Sequence, residues 1–164
     1  MRRFLLLVTL AVAGPLAAQT TTYRVLFDGE DIGHLIVEEE SNRLAVDFDY
    51  KQNGRGPTFA EEITLDERGY PMDWRIAGQT SFGSSVEEFF RVEGGVARWR
   101  DTTGDGEAVV DGSPNMYISQ EGSFYAFTLL AQALLDDPDG RIELYPGGEA
   151  TIVPRDTMTF AGPD

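Results

Sequence analysis

Cysteine is absent from the 164 residues, and histidine and lysine occur once each. Without cysteine the chain can form no disulfide framework, thiolate zinc site or cysteine nucleophile. The single histidine, His34, likewise excludes a metal site built from several imidazoles within this sequence. The 13 basic residues stand against 28 acidic ones, for a formal net charge of −15. This excess argues against nucleic acid or anionic lipid headgroups as partners, because clustered Lys and Arg bind both.

Motifs of common enzymes are also missing. No Gly-x-Ser-x-Gly nucleophile turn occurs, and the only lysine, Lys51, is followed by Gln rather than by the Ser or Thr of a phosphate-binding loop. The sequence therefore predicts no catalytic residue, no metal ligand set and no cofactor in this chain.

The N-terminus has the pattern of an export sequence. Two arginines follow Met1, an apolar stretch covers residues 4–13, and Leu16-Ala17-Ala18 precedes Gln19. This pattern predicts a secretory signal peptide over residues 1–18 and a periplasmic or extracellular protein. The apolar stretch is too short to cross roughly 30 Å of hydrocarbon, so no membrane span is expected after cleavage. The rest is predicted to be one β-rich domain, 19–156, with an irregular tail, 157–164.

Most of the chain alternates between apolar and polar residues. From Leu44 to Tyr50 every second residue is apolar, and turn-forming pairs such as Asn53-Gly54 and Gly94-Gly95 separate such segments. Short alternating segments between turns are typical of an antiparallel sheet whose neighbouring strands pair as hairpins.

One apolar segment breaks the alternation and predicts a helix over about 124–136. Ser123 can cap its first turn, and Pro138 stops it. A helix that is apolar nearly all round is expected to be buried on most sides. The predicted fold is therefore mainly β (α+β), a curled antiparallel meander or half-barrel of eight or more strands around this helix. A closed β-barrel is the alternative.

Two glutamates are predicted to face the apolar side of the sheet. Glu61 shares strand parity with Phe59 and Ile63, and Glu88 shares it with Phe90. A buried carboxylate costs several kcal/mol unless it is paired, and the sequence offers Arg98 or Arg100 as partners.

Three interpretations of this pair stay open: a structural ion pair, a polar spot with raised pKa in a ligand cavity, and, least favoured, an acid–base pair of an enzyme. Trp74 and Trp99 also have two interpretations: they are core residues, or they stack on a ligand.

The most distinctive segment of the sequence is Asn53-Gly54-Arg55-Gly56-Pro57. Glycines at both sides can take positive φ and aim Arg55 at a carboxylate, whereas a plain exposed hairpin loop fits equally well. The candidate ligand- or interface-binding residues are thus Asn53, Arg55, Glu61, Trp74, Glu88 and Trp99.

One glycine-containing loop is a weak calcium candidate through Asp101, Asp105 and Glu107. It lacks the twelve-residue length and terminal bidentate glutamate of a calcium-binding loop, so a solvated hairpin turn is favoured over a metal site.

Several strings together form a pattern over nearly the whole mature chain. They are Tyr23-Arg24-Val25-Leu26, Asp31 to Leu35, Asp47 to Pro57, Gly69 to Trp74, Gly94 to Trp99, and Tyr117 to Gln120 with the apolar helix after it. The pattern resembles the N-terminal accessory region of exported bacterial metal-dependent amidohydrolases. Its most specific part is the Asn-Gly-Arg-Gly-Pro string.

The resemblance implies a role without catalysis. In such proteins this region precedes a metal-dependent barrel with a His-x-His motif, which the sequence lacks, so no catalytic residue carries over. The chain would be an accessory domain or fragment whose partner is an amidohydrolase barrel C-terminal to it, docked on an exposed apolar patch. The opening also resembles periplasmic half-barrels related to lipoprotein carriers. The alternative is therefore a stand-alone protein that binds an apolar molecule such as lipid in a cavity beneath the helix.

Overall fold

Eight consecutive strands form one antiparallel sheet in a computed structural model that describes residues 18–112 and 115–155. In chain order they are β1 (Gln19–Phe27), β2 (Glu30–Glu40), β3 (Arg43–Tyr50), β4 (Thr58–Leu65), β5 (Pro71–Gln79), β6 (Ser85–Glu93), β7 (Val96–Asp101) and β8 (Gly104–Val109). Each strand pairs with the next along the chain, and β1 and β8 are the two edges. The predicted meander or half-barrel is confirmed, and the sheet does not close into a barrel.

The alternation in the sequence separates two faces of the sheet. In β3 the buried residues Leu44, Val46 and Phe48 alternate with exposed residues. We call the buried side the inner face and the opposite side the outer face. The core on the inner face includes Trp74 and Phe90, both almost fully buried. One buried face and one solvated face are what an antiparallel sheet with this alternation produces.

The inner face is covered by one helix and a small second sheet. The helix α1 spans Tyr125–Asp136, and the small sheet contains β9 (Asn115–Tyr117), β10 (Arg141–Tyr145) and β11 (Glu149–Thr151). Strand β10 pairs in parallel with β9 and antiparallel with β11. The chain therefore crosses over from β9 to β10 through α1.

The predicted helix is confirmed, but its predicted burial on most sides is wrong. Ala126, Leu129, Ala133 and Leu134 are buried against the core. Apolar residues on the opposite side, including Phe127, remain exposed. The reason is that the sheet is open, so α1 lies on its inner face and is not enclosed by it.

The predicted tail and all of the predicted signal peptide except Ala18 lie outside the described residues. Within the described part of the chain, no helix is long and apolar enough to cross a membrane.

We predict that Gly106→Ala destabilises the fold. A Cβ atom at Gly106 would lie 2.4 Å from the indole ring of Trp99, and that ring is stacked on Tyr145 at 5.6 Å between centroids. Overpacking of this kind costs about 1–3 kcal/mol in the free energy of unfolding, which urea denaturation followed by tryptophan fluorescence measures. Gly147→Ala is the control, because a Cβ there meets no atom within 4 Å. Equal losses in the two variants would contradict the prediction.

Candidate functional site

Two buried carboxylates lie in one row across the sheet. Glu61 of β4 is opposite Ile76 of β5, which is opposite Glu88 of β6. The two glutamates are 2% and 4% exposed, respectively. The predicted inward orientation of both side chains is confirmed. The row lies beneath residues 118–123, which follow β9 and which we call the strap.

The carboxylate of Glu61 accepts hydrogen bonds from one side chain and from the strap. The indole nitrogen of Trp74 donates to Oε2 at 3.0 Å, and the backbone N–H of Ser123 donates to Oε1 at 2.5 Å. The Ser123 hydroxyl in turn accepts from the backbone N–H of Tyr125 at 3.2 Å. The predicted N-cap position of Ser123 is wrong, because the N-cap is Phe124 and Ser123 lies one residue before it. Glu61 thus holds the strap at the point where α1 begins.

Glu88 holds the other part of the strap. Its Oε1 accepts from the backbone N–H of Glu121 at 2.9 Å. Its Oε2 accepts from the backbone N–H of Gln120 and from the hydroxyl of Tyr117, each at 3.2 Å. Buried charges are tolerated where several donors replace water. The two glutamates therefore fix the strap through main-chain donors.

Burial raises the pKa of both glutamates and of Tyr117, which donates to Glu88. It raises the pKa of Glu61, against the opposing hydrogen bonds from Ser123 and Trp74. It also raises the pKa of Glu88, against the hydrogen bonds from Gln120 and Glu121. Burial raises the pKa of Tyr117 as well, so its hydroxyl keeps the proton that it donates.

The predicted pairing of these glutamates with Arg98 or Arg100 is wrong. Arg98 pairs with Glu107 at 3.3 Å, and Arg100 pairs with Asp105 at 2.7 Å. Both arginines are exposed and alternate with buried Trp99, which places them on the outer face. They therefore lie on the opposite side of the sheet from Glu61 and Glu88.

The two tryptophans lie in the core. Trp74 is fully buried and contacts Tyr117 edge-on, with ring centroids 6.0 Å apart. Trp99 is also buried and stacks on Tyr145. Of the predicted site residues, the structure brings Glu61 and Trp74 into direct contact.

Asn53 and Arg55 lie apart from that row, in a tight turn between β3 and β4. Asn53 and Gly54 have φ of 52° and 74°, and a bridge joins Gln52 to Arg55. Both candidate side chains are exposed. Among the described residues Arg55 has no ion pair, so the turn has the form of a plain hairpin loop.

The three calcium candidates are divided between the two faces. Asp101 is buried, and its Oδ1 accepts from the backbone N–H and the hydroxyl of Thr103. Asp105 and Glu107 are exposed and pair with arginines of the outer face. Over residues 18–112 and 115–155, no three Asp, Glu, His or Cys side chains form a group that could hold a metal ion.

The largest feature that the sequence analysis missed is an apolar stripe on the outward side of α1. We call it the α1 stripe, and it consists of Phe127, Ala131 and Leu135. Spacings of four residues place them on one helix face. Phe124, one residue before α1, instead contacts Phe48 of the core, with ring centroids 5.1 Å apart. Phe127 and Leu135 are 63% and 71% exposed. The clue in the sequence was an apolar helix, but apolar composition alone does not distinguish a buried face from a docking face.

Two different surfaces flank the stripe. At its N-terminal end, a groove of about 310 Å³ runs between α1 and the edge of the sheet. It is lined by Tyr23, Arg24, Val25, Leu35, Phe124, Tyr125 and Thr128. At the C-terminal end Asp136 and Asp139 are exposed. The stripe therefore joins an apolar groove at one end and an acidic rim at the other.

The chain matches no protein-family profile, no curated protein sequence and no solved structure.

We predict that Glu61→Gln removes part of the pH dependence of stability. Because folding raises the pKa of Glu61, its contribution to stability is largest below its ordinary pKa of 4.5 and is lost as pH rises through the folded pKa. The free energy of unfolding of wild type, minus that of the variant, should therefore fall as the pH rises above 4.5. Urea titrations at each pH measure this difference.

Glu62→Gln is the matched control, because Glu62 is the exposed neighbour on the outer face. Its difference from wild type should stay level over this pH range. A level difference for Glu61→Gln would contradict the role of burial at Glu61.

Proposed function

We propose that this chain is an exported, non-catalytic accessory domain of a metal-dependent amidohydrolase-like enzyme and docks the catalytic domain through the α1 stripe. The observation that carries the proposal is the exposed apolar stripe itself. The resemblance of the sequence to amidohydrolase accessory regions supports the identity of the partner.

The chemistry of the stripe suits a protein interface. Phe127 and Leu135 are both more than half exposed. Contiguous exposed apolar surface on a folded protein marks an interaction site, and aromatic residues are enriched at interface centres. The acidic rim formed by Asp136 and Asp139 would complement a partner surface with an apolar centre and basic residues beside it.

The hydrogen bonds that hold the strap support the proposal, because they fix the position of α1 and therefore of the α1 stripe. Glu61 and Glu88 hold the main chain immediately before α1. The buried side of the helix packs through Leu129 and Ala133. A surface that is ordered before binding loses less conformational entropy on association.

We predict that Phe127→Asp combined with Leu135→Asp disrupts the complex between this chain and the hydrolase. Introducing two charges into an apolar interface should weaken association at least about tenfold, or roughly 1.4 kcal/mol. The measurement is affinity purification from source cells, with the partner identified by mass spectrometry. Where both units belong to one polypeptide, limited proteolysis between them should become faster in the variant.

Phe82→Asp combined with Val109→Asp is the matched control, since those apolar side chains are 86% and 76% exposed outside α1. This control should leave the complex intact. The proposal fails if the wild-type chain runs at its own mass in source cells and associates with no hydrolase. It also fails if the control weakens the complex as much as the stripe variant does.

A second candidate function is binding of an apolar molecule, and the groove between α1 and β1 favours it. Its volume of about 310 Å³ is at the lower end of the range for ligand pockets. The side of α1 that faces the core is packed through the buried residues Ala126, Leu129 and Ala133, so the groove lies beside the helix. We expect native mass spectrometry of the protein from source cells to separate the candidates: a bound lipid supports this one, and a ligand-free mass contradicts it.

A further inference from the structure

The outer edge of β1 presents backbone groups that pair with no strand among the described residues. The backbone N–H of Lys51 donates to the carbonyl of Ile32 at 2.9 Å, so the backbone N–H and C=O groups of the even-numbered residues of β2 point toward β3. Because these groups alternate along a strand, those of the odd-numbered residues of β2 point toward β1. Through the register of β1 with β2, Thr20, Thr22 and Arg24 direct their N–H and C=O groups away from the sheet.

Of the features that protect exposed strands, this edge has only one charged residue, Arg24, and one irregularity near its end. Proteins guard such edges with short strands, charged residues, proline or bulges. Strand β8, the opposite edge, is short and carries two acidic residues, Asp105 and Glu107, and two glycines. Strand β1 has nine residues without lysine, proline or an acidic residue, and its register shift lies near the end, between Val25 and Leu26. The two edges of the sheet therefore differ in their capacity to accept a further strand.

We propose that a second copy of this chain pairs antiparallel with the outer edge of β1, about a two-fold axis at Thr22. In this register Thr20 lies opposite Arg24 of the partner subunit, and every outward backbone group of Thr20, Thr22 and Arg24 finds a partner. Each copy contributes the same surface, as a two-fold interface requires. The eight-stranded sheets of two copies become one continuous sheet.

Charge favours this edge over the rest of the molecular surface. Two copies with a formal charge of −15 each repel one another over most approaches. Strand β1 has no acidic residue, and its one charged side chain is Arg24, which is exposed and pairs loosely with Asp31 of the same chain at 3.8 Å. In the proposed register Arg24 lies beside Thr20 of the partner subunit, whose neighbour on β2 is Glu38. Arg24 and Glu38 of the partner subunit share the outer face, where their opposite charges attract.

Burial of Tyr23 adds to the backbone pairing. Tyr23 is half exposed on the inner face and lines the groove beside α1 with Phe124 and Tyr125. Pairing across the axis places Thr21 of the partner subunit opposite Tyr23 and brings the two grooves together. This inference goes beyond the proposed function, because it uses the edge of β1 and not the α1 stripe.

The test is sedimentation velocity of the purified protein over a concentration series. We expect a wild-type dimer that dissociates on dilution. Thr22→Pro removes one outward N–H at a position that donates nothing to β2, and Thr22→Lys places two lysines directly opposite each other at the axis. Each variant should raise the dissociation constant of the dimer at least about tenfold, or roughly 1.4 kcal/mol.

Two controls keep the result specific. Thr22→Val retains the backbone N–H and should remain dimeric. Val109→Lys adds the same charge at the exposed end of β8 and should also remain dimeric. Circular dichroism establishes folding, so that Thr22→Lys decides the outcome if Thr22→Pro does not fold. A wild-type monomer up to about 100 μM, or equal dissociation by Val109→Lys and Thr22→Lys, would overturn the proposal.

Discussion

The burial of two carboxylates on an apolar sheet face constrains the rest of this structure. Glu61 and Glu88 require donors because an unsatisfied buried charge costs several kcal/mol. Among the described residues no arginine pairs with them, and the predicted partners Arg98 and Arg100 lie on the outer face. Backbone N–H groups of the strap serve instead, together with Trp74 and Tyr117. The position of the strap, and therefore the start of α1, follows from that requirement.

The same arrangement leaves one side of α1 uncovered. Leu129 and Ala133 pack on the core, whereas Phe127 and Leu135 face away from it. Among the residues that the structure describes, no second layer covers this outward side, which leaves it open to a partner. In the proposed function that partner is a catalytic hydrolase domain. The buried glutamates then have a structural task, which is to hold the helix in position for docking.

Alternation along the strands was sufficient to predict the meander and the inward orientation of Glu61 and Glu88. The attachment of the strap to these glutamates could not be predicted, because its donors are main-chain groups 32 to 62 residues farther along the chain. A backbone N–H carries no residue-specific pattern. The exposed side of α1 was missed for a different reason: Phe127 and Leu135 would have the same hydrophobicity in a core as in an interface. Strand β9, with only three residues, was too short to show alternation.

The docking of a hydrolase on α1 is most directly tested by photo-cross-linking in source cells, with a photoreactive amino acid at position 127 and, for comparison, at position 82. Both side chains are exposed, but only Phe127 belongs to the α1 stripe. The account predicts a cross-link from position 127 to a metal-dependent hydrolase domain, in the same polypeptide or a separate one, and none from position 82. Equal cross-linking from both positions, or no hydrolase peptide at position 127, would contradict it.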